Sequence, residues 1–226
     1  MAIVGSHLTT NNVASGDPHT TASITPTGNS LVLAFIRIGA TGITVSSVTG
    51  NSLTWVQVTT LDDGNNAIFV FRALGASPTT GAVTIDLSAA AICAWSIVEF
   101  SGVTTSGTNG SGAVVQSATN VNVSTTSLTV TLGAFSDAGN ATTGGFYYAS
   151  ATLRTMTEGT GFTVLGNVST DTIGGIISEW KATNDTSVDA SISGTATFMM
   201  GVALEITDVS PPVAGGHNLS ALLGVG

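Results

Sequence analysis

Positive charge is nearly absent from this sequence. Its 226 residues include 13 acidic residues against four cations, which gives a formal net charge of −9. Proteins that bind nucleic acid, or that attach electrostatically to anionic membranes, neutralise phosphates with clusters of lysine and arginine. The composition therefore argues against nucleic acid and against a membrane surface as partners. The four cations are Arg37, Arg72, Arg154 and Lys181.

Long apolar runs and disulfide-forming cysteines are missing as well. A membrane-spanning helix needs about 18 or more apolar residues, whereas the longest runs here, 31–36 and 89–95, have the size of strands. Residues 1–7 lack the cationic and apolar regions of a secretory signal, so we expect synthesis in the host cytoplasm without one. The single cysteine, Cys93, lies in an apolar run and is expected to be buried and inert.

Hydroxyl side chains take the place of charged ones. Serine and threonine together number 62 of 226 residues, while charged residues make up 8% of the chain. An ordinary soluble domain carries roughly 25% charged residues. We therefore expect a surface that is solvated mainly by uncharged hydroxyl groups.

Short β-branched and aromatic runs, bounded by Gly, Asn, Asp and Ser, recur along the chain without helical periodicity. This pattern predicts an all-β protein, a two-sheet antiparallel β-sandwich with extended N- and C-terminal arms. The predicted strands are 30–38, 43–48, 53–59, 67–73, 82–87, 92–100, 113–118, 127–132, 144–149, 162–165, 173–180, 188–192 and 196–206.

Several predicted strands are apolar on both faces. Segments 82–87 and 127–132 alternate apolar and polar residues, as in a sheet that is wet on one side. By contrast 31–36, 67–71, 92–98 and 198–204 are apolar throughout, so both faces must be covered. Long loops or a neighbouring subunit would provide that cover, and the second option points to assembly.

The two ends of the chain differ from the predicted strands. We assign 1–17 to an N-terminal arm, 18–208 to the sandwich and 209–226 to an apolar C-terminal tail linked by proline and glycine. The tail could cover a seam of its own domain, dock on a neighbouring subunit or remain disordered. The candidate interface residues are Ile3, Val4, Leu219, Leu222, Leu223 and Val225.

Three glutamates in apolar strands are the candidates for catalysis. Glu99, Glu179 and Glu205 each stand beside bulky apolar residues, and a glycosidase needs two carboxylates roughly 5 to 10 Å apart. All three fall near strand ends, where carboxylates commonly accept hydrogen bonds from turns or pair with arginine. We therefore expect no catalytic residue and keep a sandwich-fold glycosidase as the third possible function.

Metal and cofactor sites are not indicated. None of His7, His19 and His217 has a second ligand at metal-type spacing, so they are expected to be exposed or at interfaces. Segment 62–66 offers carboxylate and amide oxygens of the kind that calcium binds, but Asp-Gly and Asn residues favour a hairpin turn there. We expect no metal and no cofactor.

Aromatic residues offer one further possibility, a platform on which a sugar ring could stack. Tyr147 and Tyr148 are the candidates, and because neighbouring strand residues point to opposite faces, at most one of them can join a given platform. This site belongs to the alternative interpretation, a receptor- or glycan-binding module of a tail fibre or bacterial surface protein.

Seven stretches resemble a family of β-sandwich modules found in phage virion proteins and in secreted bacterial surface proteins. The resemblance spans roughly residues 20–207 and carries no catalytic motif. The stretches are 28–35 (GNSLVLAF), 48–55 (VTGNSLTW), 67–73 (AIFVFRA), 81–85 (GAVTI), 95–103 (WSIVEFSGV), 161–165 (GFTVL) and 196–204 (ATFMMGVAL).

The resemblance implies a jelly-roll-like sandwich displayed on a capsid, tail or cell surface. Because a single module without a signal peptide suits a virion component, we expect a phage capsid decoration or cement protein on the exterior of the particle. The expected assembly is a homotrimer, and the expected partner is the major capsid protein or another virion protein.

Overall fold

The computed structural model describes residues 2–170 and 174–209. This part of the chain contains fourteen β-strands and no helix. All pairings between strands are antiparallel, which confirms the predicted all-β sandwich class. The strands are β1 (Val4–Gly16), β2 (His19–Thr20), β3 (Leu31–Gly39), β4 (Val45–Gly50), β5 (Val56–Asp62), β6 (Ala67–Ala73), β7 (Val83–Leu87), β8 (Ala91–Ser101), β9 (Val114–Thr131), β10 (Ala141–Ala149), β11 (Met156–Thr157), β12 (Thr163–Thr170), β13 (Gly174–Lys181) and β14 (Ser187–Ile206).

The strands form three sheets. One has the order β1-β8-β3-β6-β5 and a second, smaller one the order β2-β7-β4. The third has the order β11-β14-β10-β13-β12, with β9 also paired to β14. The two large sheets correspond to the predicted sandwich, and the small sheet is additional to it.

Strands β9 and β14 are long because each runs through two layers. The first limb of β9, residues 114–125, pairs with the second limb of β14, residues 196–206, from Thr125 opposite Ala196 to Val114 opposite Ile206. Its second limb, 127–131, pairs with the first limb of β14, 187–191, and the register shifts between Ser191 and Ala196. Each long strand therefore corresponds to two consecutive strands of an ordinary sheet.

With the limbs counted separately, the two halves of the chain have the same strand order. The first unit, β1 to β8, has an inner sheet β1-β8-β3-β6-β5 and outer strands β2-β7-β4. In the second unit, β9 to β14, the inner sheet has the order β9-β14-β10-β13-β12, and the remaining limbs of β9 and β14 with β11 form the outer layer. The fold is thus a repeated unit, which sequence reasoning did not detect.

Strand pairing gives the residue-by-residue correspondence between the units. Glu99 lies opposite Val32 in the first unit, and Glu205 lies opposite Thr142 in the second. Val32 therefore corresponds to Thr142, and counting along β3 and β10 makes Phe35 correspond to Gly145 and Arg37 to Tyr147.

Three apolar cores explain why some strands are apolar on both faces. The central core joins the two inner sheets and includes Leu33, Val98, Met200 and Leu204. The outer strands of each unit cover the opposite faces of these sheets and enclose two further cores. The two inner sheets and the two outer layers of the same chain therefore cover these strands, and no neighbouring subunit is needed for that cover.

The predicted N-terminal arm is wrong. Residues 4–16 form β1, which pairs along β8 from Val4 opposite Ser101 to Gly16 opposite Ala91. Ile3 is buried in the central core, so it is not available as an interface residue, whereas Val4 is 51% exposed. The hydroxyl- and amide-rich sequence of β1 hid this strand, because it lacks the apolar and β-branched pattern from which strands are predicted.

Close packing of the inner sheets depends on glycine at position 145. A Cβ atom added to Gly145 would lie 2.3 Å from Cδ1 of Phe35, whose side chain is fully buried. The ring of Phe35 therefore occupies the space that any larger residue at 145 would need.

We expect Gly145→Ala to lower the free energy of unfolding by about 1 to 3 kcal/mol, because overpacking moves the ring or the backbone. Urea unfolding measures this change. Gly81→Ala is the matched control, since an added Cβ there meets nothing within 4 Å. Equal losses in the two variants would contradict the packing argument.

Candidate functional sites

Two of the three candidate glutamates secure turns at equivalent positions of the two units. Glu99 accepts hydrogen bonds from the amide and the hydroxyl of Thr27, at 2.8 and 3.1 Å. Glu205 accepts from the amide and the hydroxyl of Ser136, both at 2.9 Å. In each unit the carboxylate fixes the turn that leads into the central strand of the inner sheet, as predicted for strand-end carboxylates.

Glu205 has a larger set of donors than Glu99. The amide nitrogens of Gln116 and Asn140 also donate to its carboxylate, at 2.6 Å and at 2.5 Å respectively. Burial alone would raise the pKa of Glu205, but the hydrogen bonds from Asn140, Gln116 and Ser136 outweigh it and hold the pKa below its ordinary value. Glu205 is therefore a charged structural anchor.

Glu179 differs from the other two in its hydrogen bonds: it is fully buried, and its Oε2 accepts from the amide of Gly159 at 2.9 Å. Its Oε1 has no hydrogen-bond partner among the described residues. Burial is the main cause that raises the pKa of Glu179 to about 8; the Gly159 amide acts against it, and the nearby Asp189 and Glu158 add to it. At neutral pH this side chain is mostly a protonated, uncharged acid.

The stability of the protein should therefore depend on pH through Glu179. Between the ordinary pKa near 4.5 and about 8, the unfolded chain releases this proton while the folded chain keeps it, so the free energy of unfolding falls as pH rises through that window. Glu179→Gln keeps the shape and cannot ionise. We expect it to gain stability over wild type by roughly 2 to 5 kcal/mol between pH 5 and pH 8, measured by urea unfolding.

Glu205→Gln is the control for this measurement. The pKa of Glu205 is lowered, so its contribution is present throughout this pH range and its loss should destabilise the protein similarly at both pH values. If Glu179→Gln changes stability by the same amount at pH 5 and pH 8, then Glu179 is ionised in the folded protein.

Neither tyrosine of the proposed glycan platform is accessible. Tyr147 and Tyr148 are both fully buried, which excludes them as a surface on which a sugar could stack. The hydroxyl of Tyr148 donates to the carbonyl of Arg154 and accepts from its amide, at 3.1 and 2.9 Å. Sequence reasoning placed the two rings on opposite faces correctly, but both faces of β10 are covered.

Tyr147 contacts Arg37, a buried cation at the corresponding position of the other unit. The guanidinium carbon lies 4.0 Å from the centroid of the Tyr147 ring. Nη2 of Arg37 donates to Oδ1 of Asn66 at 2.7 Å. Burial lowers the pKa of Arg37 and raises that of Tyr147. This pair joins the two units in the interior and was not foreseen from the sequence.

A chain of hydroxyl groups forms a second polar link between the units. Nε2 of His7 lies 2.9 Å from Oγ1 of Thr10, which lies 3.1 Å from Oγ of Ser96. Ser96 and Ser178, both fully buried, are joined at 2.7 Å between their hydroxyl oxygens. The chain runs from an exposed histidine on β1 into the core and satisfies hydroxyls that would otherwise be unpaired.

The predictions for His19 and Cys93 have opposite outcomes. His19 is buried, with Nε2 3.0 Å from the carbonyl oxygen of Ala91, so the prediction that it is exposed or at an interface is wrong. Cys93 is buried as expected, and burial raises its pKa to about 12, which suppresses the reactive thiolate. His217 lies outside the described residues.

Segment 62–66 is a hairpin turn between β5 and β6, as its Asp-Gly sequence predicts. Oδ1 of Asp62 accepts from the amide of Gly64 at 2.7 Å, and Oδ1 of Asp63 accepts from the amides of Asn65 and Asn66 at 2.8 and 2.7 Å. Within residues 2–170 and 174–209, no group of three or more His, Cys, Asp and Glu side chains could hold a metal ion.

Two clefts mark the surface. One of about 410 Å³ is lined by Phe135, Asn184, Asp185 and Thr186. The other, of about 310 Å³, lies where the described chain ends and includes Val103 and Val209 in its wall. Neither contains a glutamate from the candidate set or a histidine.

Comparison with known proteins gives no match: no family model, no curated protein and no solved structure is similar to the chain. No helix in the described part of the chain is long and apolar enough to cross a membrane. The resemblance to phage and bacterial surface modules therefore depends on the sequence stretches alone.

The candidate interface residues Leu219, Leu222, Leu223 and Val225 lie outside the described residues.

Proposed function

We propose that this protein is a structural virion component that decorates or cements the exterior of a phage capsid through subunit contacts. The observation that carries the proposal is the strand order of the two units. In each unit, with strands counted from one to eight, the inner sheet has the order 1-8-3-6-5 and the outer strands the order 2-7-4.

The proposal treats each unit as a jelly roll. In an eight-stranded jelly roll, two Greek keys place strands 1, 8, 3 and 6 in one sheet and the other four in the opposite sheet. Here the fifth strand extends the inner sheet instead. Jelly rolls serve widely in viral capsids and lectins, so the strand order supports the proposed class by analogy of fold.

The chemistry of the surface supports contacts that do not rely on charge. The ion pair between Lys181 Nζ and Asp185 Oδ2, 2.7 Å apart, is the only one within the described ranges. Serine and threonine outnumber charged residues 62 to 17, so uncharged hydroxyl groups are much the commoner polar side chains. Contacts made by such a surface are weakly screened by salt, as a particle component exposed to varied media requires.

Attachment to the particle tests the proposal directly. Antibody against the purified chain should label the outside of phage particles from the organism that encodes it, as seen by immunogold electron microscopy. The label should persist after a wash in 1 M NaCl, because the contacts carry little charge. Particles that lack the protein, or hold it only inside, would overturn the proposal.

The apolar tail is the proposed anchor for the homotrimer or for the major capsid protein. Burying Leu219, Leu222, Leu223 and Val225 would contribute roughly 1.5 to 3 kcal/mol for each large side chain, before the cost of ordering the tail. Glycines 215 and 216 give it reach beyond the proline pair at 211–212.

Deletion of residues 215–226 should leave the circular dichroism spectrum unchanged and weaken trimer formation or particle attachment. Light scattering after size-exclusion chromatography measures the trimer, and co-sedimentation with particles measures attachment. A full-length variant with the four apolar tail residues replaced by serine separates the loss of apolar contacts from the loss of length. Normal assembly by both variants would show that the tail is not the anchor.

A further inference from the structure

One sheet edge of the second unit has no partner strand in the described chain. The first limb of β9 pairs with β14 on one side only, and no described strand pairs with its other side. The register along β14 has no shift from Gln116 opposite Glu205 to Val123 opposite Phe198. Such an edge presents a row of backbone donors and acceptors to solvent.

The direction of these backbone groups follows from one hydrogen bond. The amide of Val121 donates to the side-chain oxygen Oδ1 of Asn120 at 2.9 Å, so it points away from β14. In an antiparallel pair the residues alternate between facing the partner and facing away. The backbone groups of Ser117, Thr119 and Val123 therefore also face outward.

The corresponding edge of the first unit is protected. Its strand β1 carries two register shifts, between His7 and Thr9 and between Val13 and Gly16. The side-chain nitrogen Nδ2 of Asn12 in β1 also donates to Thr170 Oγ1 and to the carbonyl of Gly174, at 3.3 and 3.0 Å, which ties β1 to the second unit. Bulges and cover are the usual protection of an edge strand.

Charge, the other usual protection, is missing from β9. No Asp, Glu, Lys or Arg occurs among the residues from Phe100 to Ser136, and no proline occurs in β9. In a chain of net charge −9, this edge is a surface that a second copy can approach without placing like charges opposite each other. Val123 is 76% exposed, and such a contact would remove part of its apolar surface from water.

We propose that the first limb of β9 pairs antiparallel with the same limb of a second copy of this chain, about a two-fold axis. The inner sheet of the second unit in one copy then becomes continuous with the same sheet of the other copy. In the single chain the side chain of Asn120 accepts a hydrogen bond from the Val121 amide, and the incoming strand displaces it. This contact deepens the proposed function, because it joins copies in pairs and so would link neighbouring trimers.

Sedimentation velocity of the full chain over a wide range of concentration tests the contact. Wild type should show a concentration-dependent doubling of mass, of the monomer or of the trimer. Thr119→Lys places a cation on the pairing edge of each copy and should weaken the doubling at least about tenfold. The matched control is Thr131→Lys, which puts the same charge on an exposed residue of the second limb and should leave the doubling unchanged.

Two results would overturn the proposal. One is a wild-type chain whose mass does not double at any concentration, and the other is doubling that Thr119→Lys leaves intact. Retained circular dichroism spectra ensure that the variants are folded. Labelling of particles is a separate measurement, so the edge contact and the proposed virion function can fail independently of each other.

Discussion

The packing of the two inner sheets against each other is the interaction on which the rest of this structure depends. Each inner sheet is apolar on both faces, so it needs cover on both sides. The partner unit covers one face and the unit's own outer strands cover the other. Neither unit can bury its inner sheet alone, and for this reason the two halves of the chain form one structure rather than two independent domains.

Two buried serines in this central layer are tolerated because they pair with each other across it. The hydrogen bond between the Ser96 and Ser178 hydroxyls joins the two units within the apolar core. At the corresponding positions of the opposite units stand Val202 and Val70, which belong to that same core. The two hydrogen-bonded serines thus have apolar residues as their counterparts in the repeated unit. The polar pair adds direction to a contact that apolar burial alone would leave less specific.

The sequence predicts local features well and the source of long-range cover poorly. The prediction for β6 matches the structure residue for residue, and the turn at 62–66 and the bonding of Glu99 follow from side-chain chemistry within or close to the strands. Burial of Tyr147 could not be predicted, because it depends on the inner sheet of the other unit, which is distant in the sequence. The strand β1 escaped prediction because pairing along one edge satisfies its backbone without an apolar pattern.

The repeated unit was hard to detect because its halves carry different residues at positions where they touch. Phe35 and Gly145 are corresponding residues, and the phenylalanine ring fills the space left by the glycine. Two phenylalanines at this place would overlap, and two glycines would leave a cavity. Arg37 and Tyr147, also corresponding residues, form a cation and aromatic pair where two arginines would repel. These differences favour association of the first unit with the second over association of either unit with a copy of itself. Copies of the whole chain are therefore left to meet through surfaces other than the inner-sheet faces.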